Sequence, residues 1–175
     1  GIKLRKTNDR TSMRRLALIS VALMTLTGCA PEETYTGDTA YLVTGECAGV
    51  EVAVNYGGLA KRSSYCVEVS ESTAASEVLR LANIEVEGTA TYPDQIVCRV
   101  NGLPSQTEAI DIPGGEPHLE TCENMPPEFA YWALWVRDGA QEWEYASEGV
   151  GTLVLEPGSS IGLAFSRAGK VLLPN

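Results

Sequence analysis

The chain has one histidine, two phenylalanines and only 13 Lys and Arg among 175 residues. A single imidazole, His118, would have to serve any nucleophile, and no G-x-S-x-G motif frames Ser63, Ser64, Ser105 or Ser159. The parts of a hydrolytic triad are therefore missing. No C-x-x-C spacing occurs for His118 to join, so no zinc site and no other metal is expected. Gly57-Gly58 lies between two strand-like segments rather than ahead of a helix, so it is no phosphate loop. The glutamates are too many and too scattered to single out a general acid and base. No catalytic residue and no cofactor is expected, and the chain reads as a non-enzyme.

Long apolar runs are also scarce. The longest near the N-terminus, Leu16 to Leu26, has 11 residues, too few to span a bilayer comfortably. It follows Met13-Arg-Arg15 and closes on Leu26-Thr27-Gly28-Cys29, the layout of a secretory leader ending in a lipobox. Residues 1–28 are expected to be a signal peptide with extra upstream residues, and Cys29 the lipidated residue. Residues 29–39, polar with Pro and Gly, read as a tether, and 40–175 as a single domain. The protein is thus expected at the cell membrane, lipid-anchored on its extracytoplasmic face.

Basic residues thin out further after the leader. From Cys29 onward the chain holds 7 Lys and Arg against 22 Asp and Glu. Such a surface does not suit nucleic acid, and it is expected to be repelled by an anionic bilayer, leaving the lipid on Cys29 to do the anchoring.

Four cysteines remain beside Cys29, namely Cys47, Cys66, Cys98 and Cys122, which implies two disulfides in an oxidising compartment and three possible pairings. A hairpin selects among them. Val50, Val52, Val54 and Tyr56 alternate with Glu51, Ala53 and Asn55; Gly57-Gly58 turns the chain, and Tyr65 to Val69 returns. Folding there brings Cys47 near Cys66. Cys98 and Cys122 are left to close the long loop between them.

One helix is expected after Thr73 as its N-cap, with Ala75, Val78, Leu79 and Ala82 forming a buried stripe and Asn83 ending it. Gln95 to Asn101 reads as a strand. Leu103 to Pro127, rich in Pro, Gly and Glu, reads as a loop without strands that needs a staple, with His118 a solvent-facing member. Arg99 and Arg137 are expected to pair with neighbouring carboxylates.

The most distinctive stretch is Phe129-Ala-Tyr-Trp-Ala-Leu-Trp-Val136. Alternation puts Phe129, Tyr131, Ala133 and Trp135 on one side and Ala130, Trp132, Leu134 and Val136 on the other, so both faces of this strand are apolar. Trp143 and Tyr145 return in a hairpin around Asp138-Gly139. Strands over Thr152 to Leu155 and Ile161 to Phe165 follow. Tyr131, Trp132, Trp135, Trp143 and Tyr145 are the candidate binding residues, as core packing or as an exposed stacking platform.

Three stretches, Thr73 to Ala82, Ile96-Val-Cys-Arg-Val-Asn-Gly102, and Ala130 to Val136 with Trp143-Glu-Tyr-Ala146, resemble the β-grasp domain of uncharacterised bacterial surface proteins. That domain is similar to the C-terminal domain of transcobalamin and intrinsic factor. The cysteines and the acidic loop also resemble an actinobacterial lipoprotein subgroup. The resemblance implies an α+β, ubiquitin-like β-grasp fold: a mixed sheet with one main helix and an extra stapled loop. The chain is expected to act as a cell-surface binding or protein-interaction module, with an unknown surface protein or a small ligand as its partner. In the carriers the domain closes over cobalamin together with a helical domain, so an accessory protein for a flat cofactor, such as a corrinoid or tetrapyrrole, is the alternative. An enzyme with an unrecognised site is the third.

Overall fold

The computed structural model describes residues 40–43 and 45–175. The expected leader, Cys29 and the tether lie outside the described residues. In chain order the strands are β1 (Ala40–Leu42), β2 (Val50–Asn55), β3 (Ser63–Val67) and β4 (Thr73–Ala74), then helix α1 (Ala75–Leu81). After the helix come β5 (Val86–Gly88), β6 (Val97–Val100), β7 (Ala109–Ile110), β8 (His118–Leu119), β9 (Ala130–Asp138), β10 (Glu144–Tyr145), β11 (Val154–Leu155) and β12 (Ser159–Arg167).

The main sheet has the order β1-β3-β2-β12-β9-β10. The β2–β3 hairpin pairs Val50 with Val67 and Val52 with Tyr65, while β12 joins β2 in parallel and β9 antiparallel. A hairpin, a helix across one face, and a late strand returning parallel to the first make this a β-grasp-like α+β fold. Three two-stranded ladders, β4–β11, β5–β6 and β7–β8, surround it.

The helix face of the sheet carries the larger core. Val50, Val52 and Val54 of β2, Ile161, Leu163 and Phe165 of β12, and Trp132 of β9 meet Ala75, Val78 and Leu79 of α1. The stripe expected for the helix is the one buried. Its start differs: Ala74 is the N-cap and makes no side-chain cap bond, while Thr73 lies in β4 and donates its hydroxyl to the Glu71 carbonyl. Pairing of Thr73 and Ala74 with β11 overrides the local capping preference. At the other end Asn83 adopts a φ of 56°, and the N–H groups of Asn83 and Ile84 bond the carbonyls of Arg80 and Leu79. That is a Schellman closure, with Asn where glycine is commoner.

The opposite face is covered by the C-terminal tail. Asn55 Nδ2 donates to the Leu173 carbonyl, the Leu172 N–H to Ser166 Oγ, and Trp143 Nε1 to Asn175 Oδ1. Pro174 fills the notch left by Gly162, where no β-carbon would fit. Beneath this strap Ala133, Trp135 and Ala164 form a second, smaller core with Tyr131, Trp143 and Leu172 packed against it. From Ala130 to Val136 the faces expected from alternation are therefore the faces observed, whereas Phe129, which precedes the strand, packs on the helix-side core rather than beside Tyr131.

Both disulfides are present, Cys47–Cys66 and Cys98–Cys122. The segment from Leu103 to Pro127 is less bare than expected. It contains the β7–β8 ladder and buries Ile110. Val86–Gly88 also pairs, with β6.

Candidate functional site

A concavity that includes residues of the aromatic hairpin runs along the outer edge of β9. It encloses about 610 Å³ between Gln95–Val97, the β9 residues 131–134, and the chain from Tyr145 to Gly149. Its origin lies in the unequal lengths of the paired strands. β9 pairs over all nine residues with β12, but β10 covers only Trp135 and Val136 on the other edge, extended by the Ala146 N–H bonding the Leu134 carbonyl. Peptide groups of alternate residues face the same side, so those of Trp132 point into the groove, as the Leu134 carbonyl points at β10. Among the described residues no strand pairs with β9 beside Trp132 on that edge.

Tyr131 and Tyr145 bring their side chains to this groove. Tyr145 is 55% exposed, and its ring stacks on Trp135 with centroids 4.0 Å apart and planes inclined by 21°. Partial burial pushes the Tyr145 pKa up, and a hydrogen bond to Tyr131 pushes it further. The Tyr145 phenol stays protonated at neutral pH, offering a polar group on an aromatic wall.

The other candidates lie elsewhere. Trp132 is only 6% exposed: its ring meets Tyr56 edge-on at 5.6 Å and Phe165 at 5.3 Å, and its Nε1 donates to the Leu103 carbonyl. Trp135, 5% exposed, lies under Tyr145, and its Nε1 has no hydrogen-bond partner among the described residues. An exposed platform of Trp132 and Trp135 is therefore replaced by two buried indoles, because each face of β9 has its own cover. Trp143, half-buried, is held by the Arg137 guanidinium 4.5 Å above its ring and by Asn175. Arg137 is in turn fixed by Glu51 at 2.7 Å and by Ser160. Of the five, Tyr131, Trp132 and Tyr145 line the groove, the Trp132 indole being engaged by Tyr56, Phe165 and Leu103.

Cys98, Glu120 and Cys122 place metal-type donor atoms within 4.8 Å of one another. The two sulfurs are already bonded to each other, and the buried Arg99 places Nη1 against Cys122 Sγ. A cation there would compete with a disulfide and a guanidinium, so the donor set does not fit a metal. Arg99 also donates to the carbonyls of Pro104 and Glu120 and pairs with Glu87 at 3.0 Å. Glu120 accepts from the Cys122 N–H and faces His118 Nε2 at 3.1 Å. The cluster is a polar knot that pins the long loop. His118 is consequently a half-buried strand residue beside Phe129 rather than a solvent-facing loop residue.

A second cavity of about 690 Å³ lies between α1 and the residues 93–94 and 150–151. The turn from Pro93 to Ile96 separates it from the first. Gly149 and Gly151 let the 149–151 chain press on that turn, since a β-carbon at either would strike it. Sequence reasoning missed the Gln95–Val97 and Ser147–Gly149 walls, which carry no chemical signal of their own.

Comparison of the chain with protein-family models, with curated proteins and with solved structures finds no significant match in any of the three.

Proposed function

We propose that this protein is a lipid-anchored, extracytoplasmic binding module that takes an extended segment of a partner protein into the groove beside β9. The observation that carries this reading is the stretch of the β9 edge at Trp132 with which, among the described residues, no strand pairs, within a groove of about 610 Å³. An extended peptide is the ligand whose alternating N–H and C=O groups complement a strand edge, and Tyr131 and Tyr145 would read its side chains. The β-grasp domain and the lipobox at Cys29 supply the scaffold and the address.

A linear-peptide display selection against the chain tests this. The reading requires enrichment of a common motif that is lost when Tyr131 and Tyr145 are both replaced by alanine. Selection of unrelated peptides, or of peptides indifferent to that double variant, would count against it.

A flat cofactor is the second reading, favoured by the groove's volume, which falls in the small-ligand range of roughly 300–1,000 Å³, and by the stacked Trp135–Tyr145 pair. Titration with cyanocobalamin and with haemin, followed by quenching of tryptophan fluorescence, separates it from the first. Saturable quenching by either that is abolished by Tyr145→Ala would favour the cofactor.

A further inference from the structure

Residues 40–175 contain 19 Asp and Glu and only seven Lys and Arg. Three of the seven are engaged by carboxylates: Arg80 by Glu77, Arg99 by Glu87 and Arg137 by Glu51. The remaining four, Lys61, Arg62, Arg167 and Lys170, are all exposed and have no ion-pair partner among the described residues.

Topology gathers these four at one end of the sheet. β2 and β12 run parallel, with Asn55 beside Ala164, so the chain leaves both strands on the same side. Lys61 and Arg62 lie in the loop after β2, and Arg167 and Lys170 form the turn after β12. The two loops touch: Gly57 packs on the Phe165 carbonyl, and Arg167 Nη2 lies 3.8 Å from where a β-carbon of Gly58 would stand. Glu128 also comes near this end, since the Ala168 N–H bonds the Phe129 carbonyl, but the surplus is cationic. An otherwise acidic domain thus has one basic pole.

We infer that this pole is the surface the domain sets against the anionic lipid headgroups of the membrane that carries it, an inference that rests on the tethering through Cys29 proposed above. Charge complementarity makes the argument, because the acidic remainder is repelled by the same bilayer and the molecule is oriented by the difference. The uniform repulsion expected from net charge becomes a preference for one orientation. Tether length permits it. Residues 29–39 reach at most about 40 Å, and the sheet from Ala40, opposite Val67, to the loop before Ser63 is about 15–20 Å long.

The test uses the two lysines of the pole, which are the only lysines between residues 40 and 175. The full chain is reconstituted in phosphatidylcholine vesicles with or without phosphatidylglycerol, floated, and acetylated with a membrane-impermeant reagent. Labelling of Lys61 and Lys170 is followed by mass spectrometry. The expected result is labelling about three-fold slower or more on the anionic vesicles, reversed by high salt and abolished in the Arg62→Glu/Arg167→Glu variant. Co-flotation with equal labelling rates on both vesicles overturns the inference and leaves the tether standing. A chain that does not float overturns both. Equal slowing by inorganic phosphate on phosphatidylcholine vesicles would make the pole a site for free anions and overturn the headgroup assignment.

Discussion

Tyr145 lies flat on Trp135, ring centroids 4.0 Å apart, so that a half-exposed phenol closes the outer face of the sheet and at the same time walls the groove beside β9. Two roles on one ring can be separated by substitution. Tyr145→Ala should lower stability by about 1 kcal/mol, the size of a lost aromatic pair, and Tyr145→Phe by less. Binding of a selected peptide should fall about ten-fold or more in the alanine variant. Chemical unfolding beside a binding isotherm for the three proteins checks both effects.

Tyr145 should also titrate late. Its pKa is raised from 10.0 by burial and by the hydrogen bond to Tyr131, so the folded state holds the phenolic proton more tightly than the unfolded state. This stabilisation is complete below pH 10.0 and is lost as pH climbs through the higher folded value. Ultraviolet difference titration should show late tyrosine ionisation to which both Tyr145 and Tyr56, the latter also raised by burial, contribute, and the Tyr145 share should disappear in Tyr145→Phe. A single step at the ordinary phenol value in wild type would refute the burial and the bond.

The two buried indoles differ in a way that stability measurements resolve. Trp132 Nε1 has the Leu103 carbonyl as acceptor, whereas Trp135 Nε1 has none among the described residues. Trp132→Phe should therefore cost roughly 1 kcal/mol more than Trp135→Phe, because the first leaves a carbonyl without its donor and the second removes a donor without an acceptor. Trp132→Ala, which also opens a cavity, should cost about 3–5 kcal/mol. Near-neutral behaviour of Trp132→Ala would place that ring on the surface.

Opening the staple should loosen the long loop as a unit. The Cys98–Cys122 bond spans 24 residues, and replacing both cysteines by alanine should lower stability by roughly 3 kcal/mol. Arg99→Ala should cost a comparable amount, about 3 kcal/mol, because it leaves the buried carbonyls of Pro104 and Glu120 without their donor. Denaturant midpoints of the two variants and their combination measure the coupling between them.

Much of the frame is legible in the sequence because period 2 and period 3.6 are properties of single segments. The β2 valines, the apolar alternation in β12, the two-faced β9 and the Ala75-Val78-Leu79 stripe all declare their faces, and the hairpin at Gly57-Gly58 selects the disulfide pairing. What is hidden depends on contacts between segments far apart in sequence. The strap over Trp135 works through one proline in a glycine notch and a few side-chain bonds, with no alternation to betray it. Glu87 is one carboxylate among many until the buried Arg99 reaches it, and no residue type marks the Glu120 main-chain carbonyl as a second acceptor for that guanidinium. Thr73 obeys the rule for an N-cap, yet a bridge to β11 claims it. The groove is harder still, since an uncovered strand edge is a matter of how far β10 extends, and no residue type marks its end.

The most direct measurement is amide hydrogen exchange of the full chain with and without a peptide enriched by selection. A module that accepts a strand at the edge of β9 predicts new protection at Trp132 and the flanking residues 131–134 and 145–149, with no change at residues 76–86 beside the other cavity. Protection confined to the α1 cavity, or none at Trp132 at saturating peptide, would contradict it.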